Sequence, residues 1–99
     1  VFTRTIRRVM TGEEYRQLQS ALVVRPEIGD VIPGGGGLRK LRWKIRGRGK
    51  RGGSRVIYYW AVAPNEIYML LAYLKAEQED LTREQLELLR RIVEVWNNG

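Results

Sequence analysis

Between Arg39 and Arg55, nine of seventeen positions are lysine or arginine, and no acidic residue occurs between Asp30 and Glu66. A block of like charge repels itself and stays unfolded unless a backbone framework spaces it and a polyanion neutralises it. The flanking residues supply such a framework. From Leu38 to Ile45 the chain alternates, with Leu41, Trp43 and Ile45 pointing one way and Lys40, Arg42 and Lys44 the other. Period two predicts a strand with one buried and one cationic face. Gly47, Gly49, Gly52 and Gly53 then predict a hairpin connection. Ser54 to Val62, rich in β-branched and aromatic residues, predicts the returning strand, with Arg55, Ile57 and Tyr59 on one face and Val56, Tyr58 and Trp60 on the other. After a turn at Pro64 and Asn65, Glu66 to Leu74 predicts a third strand, apolar enough on both faces to be central in the sheet.

Helical patterns flank this hairpin. Phe2, Ile6, Val9 and Met10 share one stripe of a short first helix. Thr11 followed by Glu14 is a capping-box pattern, and Tyr15, Leu18 and Leu22 continue it, so a second helix is expected from Gly12 to Val24. Pro26 ends it, because the residue before a proline is pushed out of the helical region. The stretch from Glu27 to Gly37 reads as a plain loop; its four glycines, Gly34 to Gly37, lack the Gly-Lys-Ser/Thr ending of a phosphate-binding loop. Near the end, Thr82 and Gln85 form a second capping box with Leu81 stapled to Leu86. Leu86, Leu89, Ile92, Val93 and Trp96 follow at helical spacing, and this amphipathic helix is expected to cover the sheet. Trp43 and Trp96 read as core, and Tyr58, Tyr59 and Trp60 as core or sheet-surface packing. Ninety-nine residues suit one domain, residues 1–99, of α+β class.

Formal net charge is +7, and half of the 18 basic residues lie in the one block. That asymmetry points to a phosphate-rich partner. The chain has neither cysteine nor histidine. Thiolate and imidazole metal sites are therefore excluded, no cofactor is expected, and any catalysis rests on Lys, Arg, Tyr, Glu, Asp, Ser or Thr. The opening VFTRTIRRVM lacks the apolar core of a signal peptide, and no apolar run approaches membrane-spanning length, so a soluble, cytoplasmic protein is expected.

The segments GDVIPGGGGLRKLRW, GRGKRGGSRVIYYW and YLKAEQEDLT, in this order and spacing, resemble the HigB branch of the RelE/ParE-like toxins of bacterial toxin–antitoxin modules. The resemblance runs from about Phe2 to the C-terminal helix. It implies a small, curved antiparallel sheet with an N-terminal helix pair and a C-terminal helix packed on one side of it. Members usually place an edge strand before the first helix, whereas Val1 here stands almost inside that helix. The resemblance further implies a ribosome-dependent mRNA interferase, which enters the 30S A site and cleaves mRNA by attack of a ribose 2′-hydroxyl on the adjacent phosphate. Its implied partners are the ribosome and ribosomal RNA, mRNA, and a cognate helix-turn-helix antitoxin of the HigA kind.

Cleavage by a 2′-hydroxyl needs a group to take its proton, positive charge on the pentavalent phosphate, and a group to protonate or stabilise the leaving oxygen. Without histidine, a lysine crowded by other cations is a suitable base, because they disfavour its protonated form. Lys50 in the loop and Lys75 after the third strand are the candidates. Arg55 stands just inside a strand, where a rigid element can aim its fork at the scissile phosphate. Tyr73 is placed to stack on a base or donate a hydrogen bond. Lys44, Arg46, Arg48 and Arg51 are expected to grip flanking phosphates or ribosomal RNA. Positions 46 and 48 are sometimes lysine in members of the family, and an arginine there cannot serve as base. Glu77, Glu79 and Asp80 either pair with the site's arginines or serve the dipole at a helix start. Two other activities suit the same residues: a non-catalytic nucleic-acid-binding module, and a ParE-like gyrase inhibitor on the same fold.

Overall fold

A computed structural model of the chain describes Ile6, residues 8–45 and residues 52–98. Ile6, Arg8 and Val9 have helical backbone, and the Met10 amide donates to Ile6 O at 2.9 Å, so one turn of the expected first helix is present. Helix α1 spans Gly12–Val24. Its start is the predicted box: Glu14 N donates to Thr11 Oγ1 at 3.1 Å, and Thr11 N donates to Glu14 Oε1 at 2.8 Å. Two of the orphan amides of a helix start are thereby satisfied. Arg25 caps the other end immediately before Pro26.

Four antiparallel strands follow: β1 (Asp30–Val31), β2 (Leu38–Trp43), β3 (Ser54–Ala61) and β4 (Glu66–Leu74), in spatial order β1-β2-β3-β4. Helix α2, Arg83–Asn98, completes the α+β architecture. It begins with the second box, Gln85 N to Thr82 Oγ1 at 3.0 Å and Thr82 N to Gln85 Oε1 at 3.0 Å. No helix among the described residues is long and apolar enough to cross a membrane.

Three expectations are corrected. The segment read as a plain loop contains β1, because Asp30 and Val31 pair with Lys40 and Arg39, and the glycines turn the chain between two paired strands. Strand β4 is an edge rather than a centre among the described residues; β2 and β3 are the strands flanked on both sides. An apolar composition on both faces reports what covers the faces, and it carries no information about a neighbour in the plane. Finally, the helices pack on both sides of the sheet. Leu41, Val56, Tyr58 and Ala72 join Val9, Leu18 and Leu22 in one cluster, while Leu38, Ile57 and Tyr73 join Leu89 and Val93 of α2 in another. Neighbours in sequence along β3 alternate between the two clusters, so the sheet is the middle layer of three.

The β3–β4 register shifts between Ile57 and Tyr58, where Leu71 and then Met69 serve as partners and Leu70 is left over. An extra residue of this kind bends a strand and increases its twist. Tyr58, fully buried, ties the end of α1 to β3: its hydroxyl donates to Pro26 O at 2.6 Å and accepts from Gly29 N at 2.8 Å. Gly29 is required by that approach, since a Cβ there would lie 2.8 Å from Tyr58 Oη. Trp43 packs against the α1-side core as expected. Trp96 does not: it is 41% exposed and leans on Tyr68, with ring centroids 4.4 Å apart.

Candidate functional site

The face of the sheet that α2 covers is organised in cross-strand rows. Leu38 lies opposite Tyr59, and Lys40 opposite Ile57; these rows are largely apolar and carry α2. The last row is different. Arg42 lies opposite Arg55, and Arg55 opposite Tyr73. Two guanidinium-bearing residues stand side by side here, although like charges directly opposite one another destabilise a sheet.

The return end of the hairpin holds this row in place. Ser54, fully buried, donates from Oγ to Trp43 O at 2.9 Å and closes the base of the loop. Gly53 has φ +68°, and a Cβ on it would lie 2.7 Å from Trp43 O, so no other residue fits this position without displacing the neighbouring strand. Its carbonyl accepts from Lys75 N at 3.1 Å. The carbonyls of Gly52 and Ser54 accept from Arg55 Nη1 at 2.9 and 3.1 Å. The stem of Lys75 lies against Gly52, where an added Cβ would approach Cγ to 2.9 Å. Three consecutive residues thus seat both the Arg55 fork and Lys75.

Arg55 is 7% exposed and has no carboxylate within ion-pair distance among the described residues. Both of its side-chain hydrogen bonds use Nη1. Buried cations are ordinarily paired; this one is held by neutral carbonyls. Tyr73 is also 7% exposed, and among the described residues its hydroxyl is the buried side-chain polar atom left without a hydrogen-bond partner. Burial pushes the Tyr73 phenol above its ordinary value, with Asp80 acting in the same direction and Arg55 opposing. The hydroxyl therefore stays protonated, a donor awaiting an acceptor. The ring is packed in the α2-side core, and the hydroxyl is buried with it.

The acidic segment before α2 borders the row. Asp80 Oδ1 accepts from Lys40 Nζ at 3.1 Å and from Leu81 N at 3.1 Å. Lys40 holds the Asp80 carboxyl below its usual range, assisted by the Leu81 amide and by Arg55. Glu79 lies 4.0 Å from Lys75 Nζ. Asp80 and Glu79 thus pair with lysines rather than arginines, and Glu77 makes no ion pair among the described residues. Arg42 and Lys44 are exposed and make no ion pair among the described residues.

Of the residues singled out from sequence, Arg55, Tyr73 and Lys75 come together at this end of the sheet, with Lys44 just past the end of β2. Lys50, Arg46, Arg48 and Arg51 lie outside the described residues. Arg42 and Lys40 were missed as site residues; their alternation with Leu41 marked the face, and only the β2–β3 register put Arg42 beside Arg55. No single cavity gathers the site: Lys44 borders one of about 610 Å³ with Thr11, Glu13 and Gln17, away from Arg55 and Tyr73. A cavity of about 280 Å³ between α1 and the β3–β4 turn is lined by Leu22, Val23, Ile67 and Met69 and by none of these cations. Tyr73 borders a cavity of about 200 Å³ that also reaches Arg8, Glu77 and Gln78. No protein-family model matches the chain.

Proposed function

We propose that the chain is the toxin of a bacterial toxin–antitoxin pair, a metal-independent endoribonuclease that cleaves translated mRNA in the ribosomal A site. The observation that carries this reading is the juxtaposition of an unpaired, buried Arg55, a partnerless Tyr73 hydroxyl and Lys75 at the base of a cationic hairpin. These are the three kinds of group that 2′-hydroxyl attack requires. The side chain of Lys75 or Lys50 takes the 2′-hydroxyl proton as O2′ bonds to phosphorus. Arg55 offers its fork to the phosphoryl oxygens as charge accumulates in the pentavalent state. The Tyr73 hydroxyl, kept protonated by burial, donates to a phosphoryl or leaving oxygen as the bond from phosphorus to O5′ breaks. The products are a 2′,3′-cyclic phosphate and a 5′-hydroxyl, and no step needs an imidazole.

Lys44, Arg46, Arg48 and Arg51 then serve as the grip on ribosomal RNA and on flanking mRNA phosphates. Inhibition falls to a helix-turn-helix antitoxin in the bacterial cytoplasm. The test is to map mRNA 5′ ends after a brief pulse of expression. Cuts confined to translated frames, and lost in Arg55→Ala with ribosome association retained, are expected. Transcripts that stay whole refute the proposal, and intact mRNA accompanied by DNA damage assigns the chain to gyrase instead.

A further inference from the structure

We infer that Asp80 acts as an internal stand-in for phosphate, occupying Lys40 and thereby withholding one cation from the RNA footprint of the sheet face. The inference rests on the reading of that face as RNA-binding. It arises from an asymmetry in the Lys40–Asp80 pair: the lysine side chain is 27% exposed and belongs to the sheet, whereas the carboxylate is 70% exposed and comes from outside it. The cation is part of the surface and the anion lies over it, as a phosphate does.

The anion is also fixed in place. Gln78 Nε2 donates to Asp80 O at 2.9 Å and to Gln85 Oε1 at 2.7 Å, while Gln85 is itself locked into the Thr82 capping box. Leu81 N holds the carboxylate itself. A side chain anchored through its own backbone, its neighbour and the start of α2 is not a surface acid that happens to meet a lysine. Its charge also reaches the row beyond Lys40, since Asp80 raises Tyr73 and is itself lowered by Arg55. Asp30 lies opposite Lys40 on β1 yet makes no ion pair with it, so Asp80 is the acid that takes this cation among the described residues. An ion pair whose carboxylate is solvated contributes little to stability, so the clamp is weak enough for a polyanion to contend with.

The measurement is the salt dependence of binding to a fluorescein-labelled single-stranded RNA, read by anisotropy over a potassium chloride series. Each cation that neutralises a phosphate on a single strand adds about 0.7 to the slope of log affinity against log salt. Asp80→Asn, which keeps an oxygen for the Leu81 amide, is expected to tighten binding and steepen the slope by about 0.7. Glu87→Gln, an equal charge change at an exposed position of α2, is expected to leave the slope where it is. Lys40→Gln combined with Asp80→Asn is expected to cancel the gain. An Asp80→Asn slope equal to that of the unmodified protein overturns the inference, as does a gain that survives in the double variant. Failure of the unmodified protein to bind RNA at low salt is a different result, and sinks the RNA-binding reading of the face together with this inference.

Discussion

Replacing Tyr58 by phenylalanine removes one oxygen from the interior and nothing else, which makes its cost calculable from the structure. That oxygen accepts from Gly29 N at 2.8 Å and donates to Pro26 O at 2.6 Å, in a side chain with no solvent exposure. Burial pushes the phenol upward, so it remains a donor over the neutral range. Gly29 is itself buried, so its amide loses the acceptor in the interior. Leaving such an amide unsatisfied costs about 1–3 kcal/mol. The Pro26 carbonyl is only half-buried and recovers part of its loss from water. A total of about 2–3 kcal/mol follows, a large fraction of a small domain's stability. With a urea m-value of about 1–1.5 kcal/mol/M, the midpoint falls by roughly 2 M. Tyr59→Phe is the control: its hydroxyl makes one exposed bond, to Asn97 Oδ1 at 2.8 Å, and its loss costs about 0.5 kcal/mol or less. Equilibrium urea unfolding followed by circular dichroism measures both. A Tyr58→Phe midpoint within about 0.5 M of the unmodified protein means the Pro26–Gly29 turn is not held by this bond, and the reasoning fails.

The remaining expectations concern the hairpin, the site and acid. Gly53→Ala combines a positive φ with a Cβ 2.7 Å from Trp43 O, whereas Gly34→Ala, at φ +71°, meets nothing within 4 Å. Thermal unfolding should show about 1 kcal/mol of strain for Gly34→Ala and a distinctly larger loss for Gly53→Ala, and equal losses contradict the packing described for the loop base. Arg55→Lys keeps a charge but discards the planar fork. On the proposed activity, in a translation extract it should lower the rate of mRNA cleavage by about tenfold or more with little change in ribosome association, and undiminished cleavage removes Arg55 from the proposed reaction. Asp80 is held below its ordinary value of 3.8, chiefly by its bond from Lys40. The folded protein thus binds that proton less readily than the unfolded chain, so the pair's contribution is complete above 3.8 and disappears as pH falls through the lower folded value. Unfolding curves of Asp80→Asn should lack that increment of acid sensitivity, and identical acid profiles for the two proteins refute it.

Periodicity and capping chemistry are local, and what they specify was legible in the chain itself. Thr11 with Glu14 and Thr82 with Gln85 mark helix starts because the hydrogen bonds that make them lie within one turn of backbone. Alternation from Leu38 to Trp43 and the glycines beyond it mark a strand and its reversal for the same reason. The α+β class, the hairpin and the gathering of cations on one face followed from these alone. Pairing partners did not. That β4 is an edge, that α2 and α1 take opposite faces, and that Asp30 and Val31 form a strand depend on contacts between residues far apart in sequence, to which an apolar run is indifferent. The site shows the same division. The sequence contained Arg55, Tyr73 and Lys75 as separate candidates. Only the β2–β3–β4 register, and the Gly52–Ser54 carbonyls that accept from Arg55 and Lys75, decided that a guanidinium, a phenol and an ammonium share one end of the sheet. Folding also chose the acid that stands over Lys40, because a carboxylate reaches a lysine forty residues away only after the sheet and the start of α2 have brought the two within 3.1 Å.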